Sequence, residues 1–275
     1  MRLTTKIILS IIMSIFLISL TFIIGFSFTD RKNYNHSNVA SIDLPQDNMT
    51  GIELPSLKTI LIDEIPFESN NHLYGITDKC SIFFDSIPAN SSPGMLFIPS
   101  VLKDYISFNA SNDTLTVKLN LRDLGNKYRS DEYAFHSISG VNLYFTISNL
   151  DIISNIQLIP VNIKNIDTDS IKINSRGDIW IDSCKVQLID PRIMDNYRSL
   201  KVTNCNIKRI TIDMDNIRNW NIENCVVEEE FFTGSERHNM FLHRNDSGTK
   251  KWMPKNKNAR LNIEIQGDTT QFIIR

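Results

Sequence analysis

Leu200–Ile207 reads LKVTNCNI, and the phase of its apolar residues decides the fold. Leu200 and Val202 alternate with Lys201 and Thr203, the period of a strand that buries one face. Continued unchanged, that alternation would turn Asn204 inward and Cys205 outward. Instead Cys205 and Ile207 carry the apolar character, so the phase slips by one residue and the chain turns a corner or bulges at Asn204. Asparagine suits such a place. It tolerates the left-handed backbone conformation, and its side chain satisfies nearby backbone groups.

The same phrase occurs at Phe145–Ile152 (FTISNLDI), Val161–Thr168 (VNIKNIDT), Ile179–Val186 (IWIDSCKV) and Trp220–Val227 (WNIENCVV). The corner position holds Asn149, Asn165, Ser183, Asn204 and Asn224. The position after it forms a column, Leu150, Ile166, Cys184, Cys205 and Cys225, at separations of 16, 18, 21 and 20 residues. That is enough chain for one coil of two or three short strands. Ile171 and Ile173 alternate in the remainder of one such coil, and Ile210, Ile212 and Met214 in another. A single coil cannot bury its own interior, whereas stacked coils pair each strand in parallel with its equivalents. The pattern predicts a mostly β chain in which residues 136–275 form a short parallel β-solenoid. A two-sheet β-sandwich is the alternative, since period-2 strands with frequent turns suit it too.

Ile7–Phe28 is an uncharged apolar run long enough for a bilayer core of about 30 Å. No A-x-A cleavage site follows, and no cysteine precedes Cys80 to accept a lipid. Residues 1–28 therefore read as an N-terminal transmembrane anchor, with residues 7–28 in the lipid bilayer. Arg2 and Lys6 favour a cytoplasmic N-terminus, although Arg31 and Lys32 weaken the asymmetry. The expected location is the bacterial cytoplasmic (inner) membrane, single-pass, with the bulk of the chain extracytoplasmic, on the periplasmic side. Residues 29–52 are polar and aperiodic and read as a flexible linker.

Residues 53–135 read as a β-rich subdomain, with strand alternation at 56–63, 80–86 and 114–121, a turn at Asn112–Asp113 and a helical turn at Val101–Tyr105. Residues 228–260 break the repeat and read as a loop insertion. Residues 261–266 and 271–275 read as a closing hairpin or final rung.

The chain carries 29 Lys and Arg against 31 Asp and Glu, for a net charge of −2. The signs are interspersed and no basic stripe marks a nucleic-acid surface. Cys184, Cys205 and Cys225 stand some 20 residues apart, not at the two-to-four-residue spacing of thiolate metal sites. They read as a buried packing column; a disulfide among them, or to Cys80, stays open. Asp182, Asp190, Asp195, Asp213, Asp215 and Glu223 lie near the rungs, and Asp213 and Asp215 fall on one side of a strand, a spacing suited to a general acid and base or to a cation. The competing reading is a solvated strand face. Ser175-Arg176-Gly177-Asp178 contains an RGD tripeptide, which a tight turn also explains. His36, His72, His136, His238 and His243 show no metal-helix spacing. Phe145 and Trp220 fall on inward positions. Trp180 falls on an outward one, either under a loop or in contact with a ligand. No catalytic, cofactor-binding or metal-binding residues are assigned.

Asn112–Val117 (NDTLTV) and Leu143–Ile153 (LYFTISNLDII) resemble two pieces of the GIN domain, the auto-transporter adhesin head of Bacteroidetes envelope proteins. The likeness covers roughly 110–230, and Asn-Cys corners replace that family's Ser-Gly turns. The resemblance implies an extracytoplasmic, non-enzymatic solenoid module and brings no catalytic residues. The expected function is thus a membrane-anchored structural, adhesion or binding role towards an envelope protein or glycan. The alternative is a carbohydrate-active β-helix enzyme acting on envelope or host polysaccharide with its acids on one outer face.

Overall fold

A computed structural model describes residues 39–55, 58–65, 73–76, 79–86, 94–127, 135–147, 150–195, 198–243 and 248–266. The apolar run 7–28 and residues 271–275 lie outside them. Among the described residues no helix is long and apolar enough to cross a membrane.

The strands in chain order are β1 (Val39–Asp43), β2 (Met49–Glu53), β3 (Thr59–Ile65), β4 (Leu73–Ile76), β5 (Ser81–Asp85), β6 (Met95–Pro99), β7 (Ile106–Ser111) and β8 (Thr114–Asn120). After the helix α1 (Leu121–Lys127) come β9 (Phe135–Ser139), β10 (Asn142–Thr146), β11 (Leu150–Ser154), β12 (Val161–Lys164), β13 (Asp167–Ser175), β14 (Ile179–Asp182) and β15 (Lys185–Ile193). The chain continues through β16 (Ser199–Thr203), β17 (Asn206–Asp213), β18 (Asn219–Glu223), β19 (Val226–Gly234), β20 (Arg237–His243), β21 (Thr249–Pro254) and β22 (Arg260–Gln266).

Two large sheets organise them. The first runs β2-β6-β10-β5-β12-β14-β16-β18, the second β7-β8-β3-β11-β13-β15-β17-β19-β21. From β12 to β19 successive strands alternate between the sheets, and each of β12 to β17 pairs in parallel with its equivalent one circuit later. The register aligns Val161, Ile179, Leu200 and Trp220 in one inward row and Ile163, Ile181, Val202 and Ile222 in the next. These rows and the facing Ile171, Ile189 and Ile210 belong to one contiguous core. Apolar burial of this kind contributes roughly 25 cal/mol per Å², and β-branched side chains fit the pleated surface.

The corners are built as the phase slip requires. Asn165, Ser183, Asn204 and Asn224 have φ of 54°, 55°, 54° and 54°. The Asn204 amide donates to Asp182 Oδ1 at 2.9 Å and the Asn165 amide to Asp85 Oδ1 at 3.2 Å, so the acid ending one rung holds the corner of a neighbouring rung. Replacing Asn204 by Gly is expected to leave thermal stability nearly unchanged. Asn204→Val forces a β-branched residue into the left-handed region and is expected to cost about 2 kcal/mol, which paired melting curves measure.

Several expectations require correction. The first phrase, Phe145–Ile152, is not in register with the other four: Leu150 pairs with Ile171 rather than aligning with Ile166, and Phe145 aligns with Phe84 and Ile163. The reason is that β5 occupies the place beside β12 and offers Ile82 and Phe84 to the inward rows. Likewise β3 lies between β8 and β11, so both sheets run without a break across residue 135. Within the stretch read as a linker, 29–52, lie the whole of β1 and all but the last residue of β2; β1 pairs with β9 and β2 with β6, and Leu44 is buried. Within the stretch read as a loop insertion, 228–260, lie most of β19 and the whole of β20 and β21. The helical turn is present as a 3-10 segment, Ser100–Tyr105, and Asn112 and Asp113 (φ 51° and 60°) make the two-residue turn between β7 and β8.

Candidate functional site: a cleft where the first sheet opens

On the side of the first sheet the regular stacking stops at β18. The second sheet adds one more rung, β21 beside β19. The strand that follows β19 would be the next rung beside β18, yet β20 pairs in parallel with β22 as a separate two-stranded sheet. Among the described residues β18 pairs only with β16, so one edge of β18 is left without a strand.

A cleft of about 1010 Å³ lies there, within the size range of ligand sites. It reaches from the outer face, at Trp180 and Lys201, round β18 to the interior side chains Phe232 and Met240. Trp180 is 42% exposed and Phe241 54% exposed, whereas Trp220 is half-buried with its ring 5.9 Å from that of Phe232. The outward positions Trp180, Lys201 and Asn221 are aligned by register across β14, β16 and β18.

The inner wall explains why the repeat becomes unreadable after Val227. Glu230 pairs in register with Ile210 and with Lys250, so the apolar column Ile171, Ile189, Ile210 ends in two charges. Lys250 Nζ donates to Glu230 Oε1 at 2.6 Å, and the side chains are 18% and 8% exposed. An ion pair this buried is retained only when both members are matched.

The cysteine column is a ladder of free thiols. Cys184 and Cys205 are buried and Cys225 is half-buried. The Cys184 N–H donates to Cys205 Sγ and the Cys205 N–H to Cys225 Sγ, both at 3.3 Å, while each thiol faces the carbonyl two residues earlier at 3.0–3.2 Å. The thiols thus satisfy backbone donors that the corner turns out of the sheets. The neighbouring Cys184 thiol pushes Cys205 up to about 11. Cys80 is buried, and its sulfur accepts the Val141 N–H at 3.3 Å.

The acids fall in separate places, with Asp182 and Glu223 on the first sheet and Asp213 and Asp215 meeting at Lys255 at the end of β17. Asp182 ends β14 in the first sheet, where hydrogen bonds from Thr203 and then Asn204 hold its carboxyl below the ordinary carboxylate range. Glu223 ends β18 and accepts the Asn221 amide at 2.7 Å. Asp213 ends β17 in the second sheet, and Asp215 follows in the turn beyond it. There Lys255 Nζ donates to Asp213 at 2.5 Å and to Asp215 at 2.8 Å, and Asp215 also accepts the Ser235 N–H and meets His238 Nε2 at 2.8 Å. Asp190 faces Arg192 at 3.8 Å and Asp195 faces Arg198 at 3.8 Å. Asp178 of the RGD tripeptide accepts the Ser199 N–H at 2.6 Å and its hydroxyl at 2.9 Å, so this carboxylate ties one rung to the next. Each of these acids is engaged in a hydrogen bond or ion pair within the fold. Among the described residues no group of three or more His, Cys, Asp or Glu is placed to hold a metal ion.

Burial raises the pKa of Asp215, but hydrogen bonds from Lys255, Ser235 and His238 outweigh it and hold the group well below the ordinary range. A carboxylate depressed in the folded state stabilises the fold above its unfolded pKa of about 3.9 and loses that contribution as pH falls further. Asp215→Asn is therefore expected to lower the melting temperature at pH 7, with the gap to the parent protein closing below about pH 4. A gap that stays constant down to pH 2 would separate the loss from the carboxylate charge.

No family model matches the chain, and no curated protein matches it. Among solved structures it resembles a candidate adhesin from Bacteroides fragilis at 12% identity and a TM-score of 0.47, covering 82% of this chain and 96% of that one. It also resembles a candidate adhesin from Parabacteroides merdae (11% identity, TM-score 0.39, 83% and 100% covered). A third is a candidate lipid-binding protein from Parabacteroides distasonis (11% identity, TM-score 0.38, 83% and 98% covered). These likenesses are distant, and none transfers a ligand to this chain.

Of the cleft, the sequence marked only Trp180 as a position open to a ligand, and it placed Trp220 inward. It missed Lys201, Arg218 and Phe241 because the cleft is created by a pairing that fails to form. The surviving signal was the alternation of Met240 and Leu242 about 20 residues after β18.

Proposed function

We propose that this chain is a short β-solenoid, held on the outer side of the cytoplasmic membrane by residues 7–28, that binds a partner through the cleft beside β18. The observation that carries the reading is the opening of the first sheet, which leaves a cleft of about 1010 Å³ with exposed aromatic and cationic groups at its mouth. The solenoid reading draws on the alternation of parallel strands between two sheets and on the left-handed corners. The binding reading draws on acids committed to structural hydrogen bonds rather than gathered in a cleft. The partner is an envelope protein or glycan.

The test is a screen of the detergent-solubilised full chain against glycan and envelope-protein arrays. Lys201→Glu and Arg218→Glu are expected to weaken a genuine hit at least tenfold; hits indifferent to both substitutions would remove the cleft from the function. Topology has its own test. Protease added to intact spheroplasts should digest a C-terminal tag if the bulk is exported, and protection of the tag would reverse the orientation.

A further inference from the structure

We infer that Cys205 and Cys225 form a reversible redox site, at which an external disulfide converts the two thiols into a bridge between the Asn204 and Asn224 corners. This goes beyond the binding reading and needs neither the partner of the cleft nor the membrane topology. The two cysteines hold the same place on successive circuits, because the residues that follow them, Asn206 and Val226, are register partners. Strands so paired lie about 4.8 Å apart, inside the range of roughly 4.4–6.8 Å that separates the Cα atoms of bridged cysteines. The side chains meet across that step. The Cys205 N–H donates to Cys225 Sγ at 3.3 Å, and the two thiols perturb each other's ionisation.

Access sets the order of events. Cys184 and Cys205 are buried, whereas Cys225 is half-buried and lines the cleft. The Cys225 thiolate attacks one sulfur of the external disulfide and expels the other as a thiolate. The Cys205 thiolate then attacks Cys225 Sγ in the mixed disulfide and expels the second external thiolate. Two cysteine thiols are oxidised to one bridge, the external disulfide is reduced to two thiols, and the two cysteine protons end on those released thiols. Only a thiolate attacks, and the Cys205 thiol, followed by burial, holds Cys225 above the ordinary thiol range, so exchange accelerates as the pH rises. The bridge is a labile one. Stacked Cβ atoms start about 4.8 Å apart, whereas a relaxed bridge holds them about 3.8 Å apart, so the bond is strained and yields to a dithiol. Because Cys225 lines the cleft, the bridge joins the cleft wall to the preceding rung.

The experiment incubates the reduced, folded full chain in detergent micelles with oxidised glutathione. Thiols are then counted after denaturation, and the product is mapped by peptide mass. Of the four cysteines, two should be lost together as a Cys205–Cys225 bridge, faster in alkaline than in neutral buffer, and a dithiol should restore them. Cys225→Ser should slow thiol loss at least tenfold, since the remaining column thiols are buried. Cys205→Ser should stop one step earlier, with glutathione held on Cys225. Cys184→Ser should still bridge. Retention of all four thiols by the parent chain overturns the site. A glutathione adduct on Cys225 that Cys205 never resolves does the same, as does a bridge between Cys184 and Cys205. A bridge that forms only after the chain is unfolded in urea overturns it too, because the fold would then not be what brings the two sulfurs together.

Discussion

Cys205→Asp is expected to destabilise the protein by about 4 kcal/mol, among the largest effects of any single substitution in the stack. Cys205 is 3% exposed, with its thiol against the Thr203 carbonyl at 3.0 Å and the Cys184 N–H donating to its sulfur. A carboxylate there would accept that N–H, but it would also face a carbonyl oxygen with no cation beside it. Serine preserves both the donor and the acceptor, so Cys205→Ser should cost under about 1 kcal/mol. Alanine strands the Cys184 N–H, and Cys205→Ala should cost about 1–3 kcal/mol. Urea denaturation of the three variants measures the order. Equal midpoints for the Asp and Ser variants would place this side chain in solvent rather than inside the corner.

Gly177→Ala should be comparably severe, at about 4 kcal/mol. A Cβ at Gly177 would stand 2.0 Å from the Ile159 carbonyl oxygen and 2.6 Å from its carbon, so backbone would have to move against backbone. The Ile159–Pro160 segment cannot yield cheaply, because the Pro160 carbonyl accepts the Ile82 N–H at 2.9 Å and Ile159 is fully buried. Arg176→Ala, one residue away on an exposed site, should change stability by less than about 0.5 kcal/mol. A similar midpoint for the two variants, read in the same urea series, would mean that the turn is not packed against Ile159. The glycine of the RGD tripeptide is there because one rung sits on another, which is a different reason from recognition by a partner.

Much of the architecture was legible in eight residues, because a phase slip is a local event with a local cause. Asn204 must leave the β region for the chain to turn, and the repetition of its φ at Asn165, Ser183 and Asn224 follows from the same requirement. The strands β3 and β5 were legible as strands but not as rungs. Their neighbours β11 and β12 lie some 75 to 100 residues downstream, and no periodicity reports a pairing at that distance. Asp182 read as a candidate acid because it lies near the rungs; its actual partners, Thr203 and Asn204, belong to the next circuit. The cleft was least legible of all. Trp180 and Lys201 share the second position of the phrase, but Arg218 and Phe241 lie outside it, and the cleft they line opens only because β20 pairs with β22 rather than with β18.

The Glu230–Lys250 pair has a consequence for how long the stack can grow. A column of isoleucines can be continued by any further apolar rung, so nothing in Ile171, Ile189 or Ile210 tells the chain when to stop. A column that ends in an ammonium offers the next rung a surface that an isoleucine cannot cover. The pair is a full stop written into the interior, and it disfavours open-ended, fibre-like extension of the apolar column at that end.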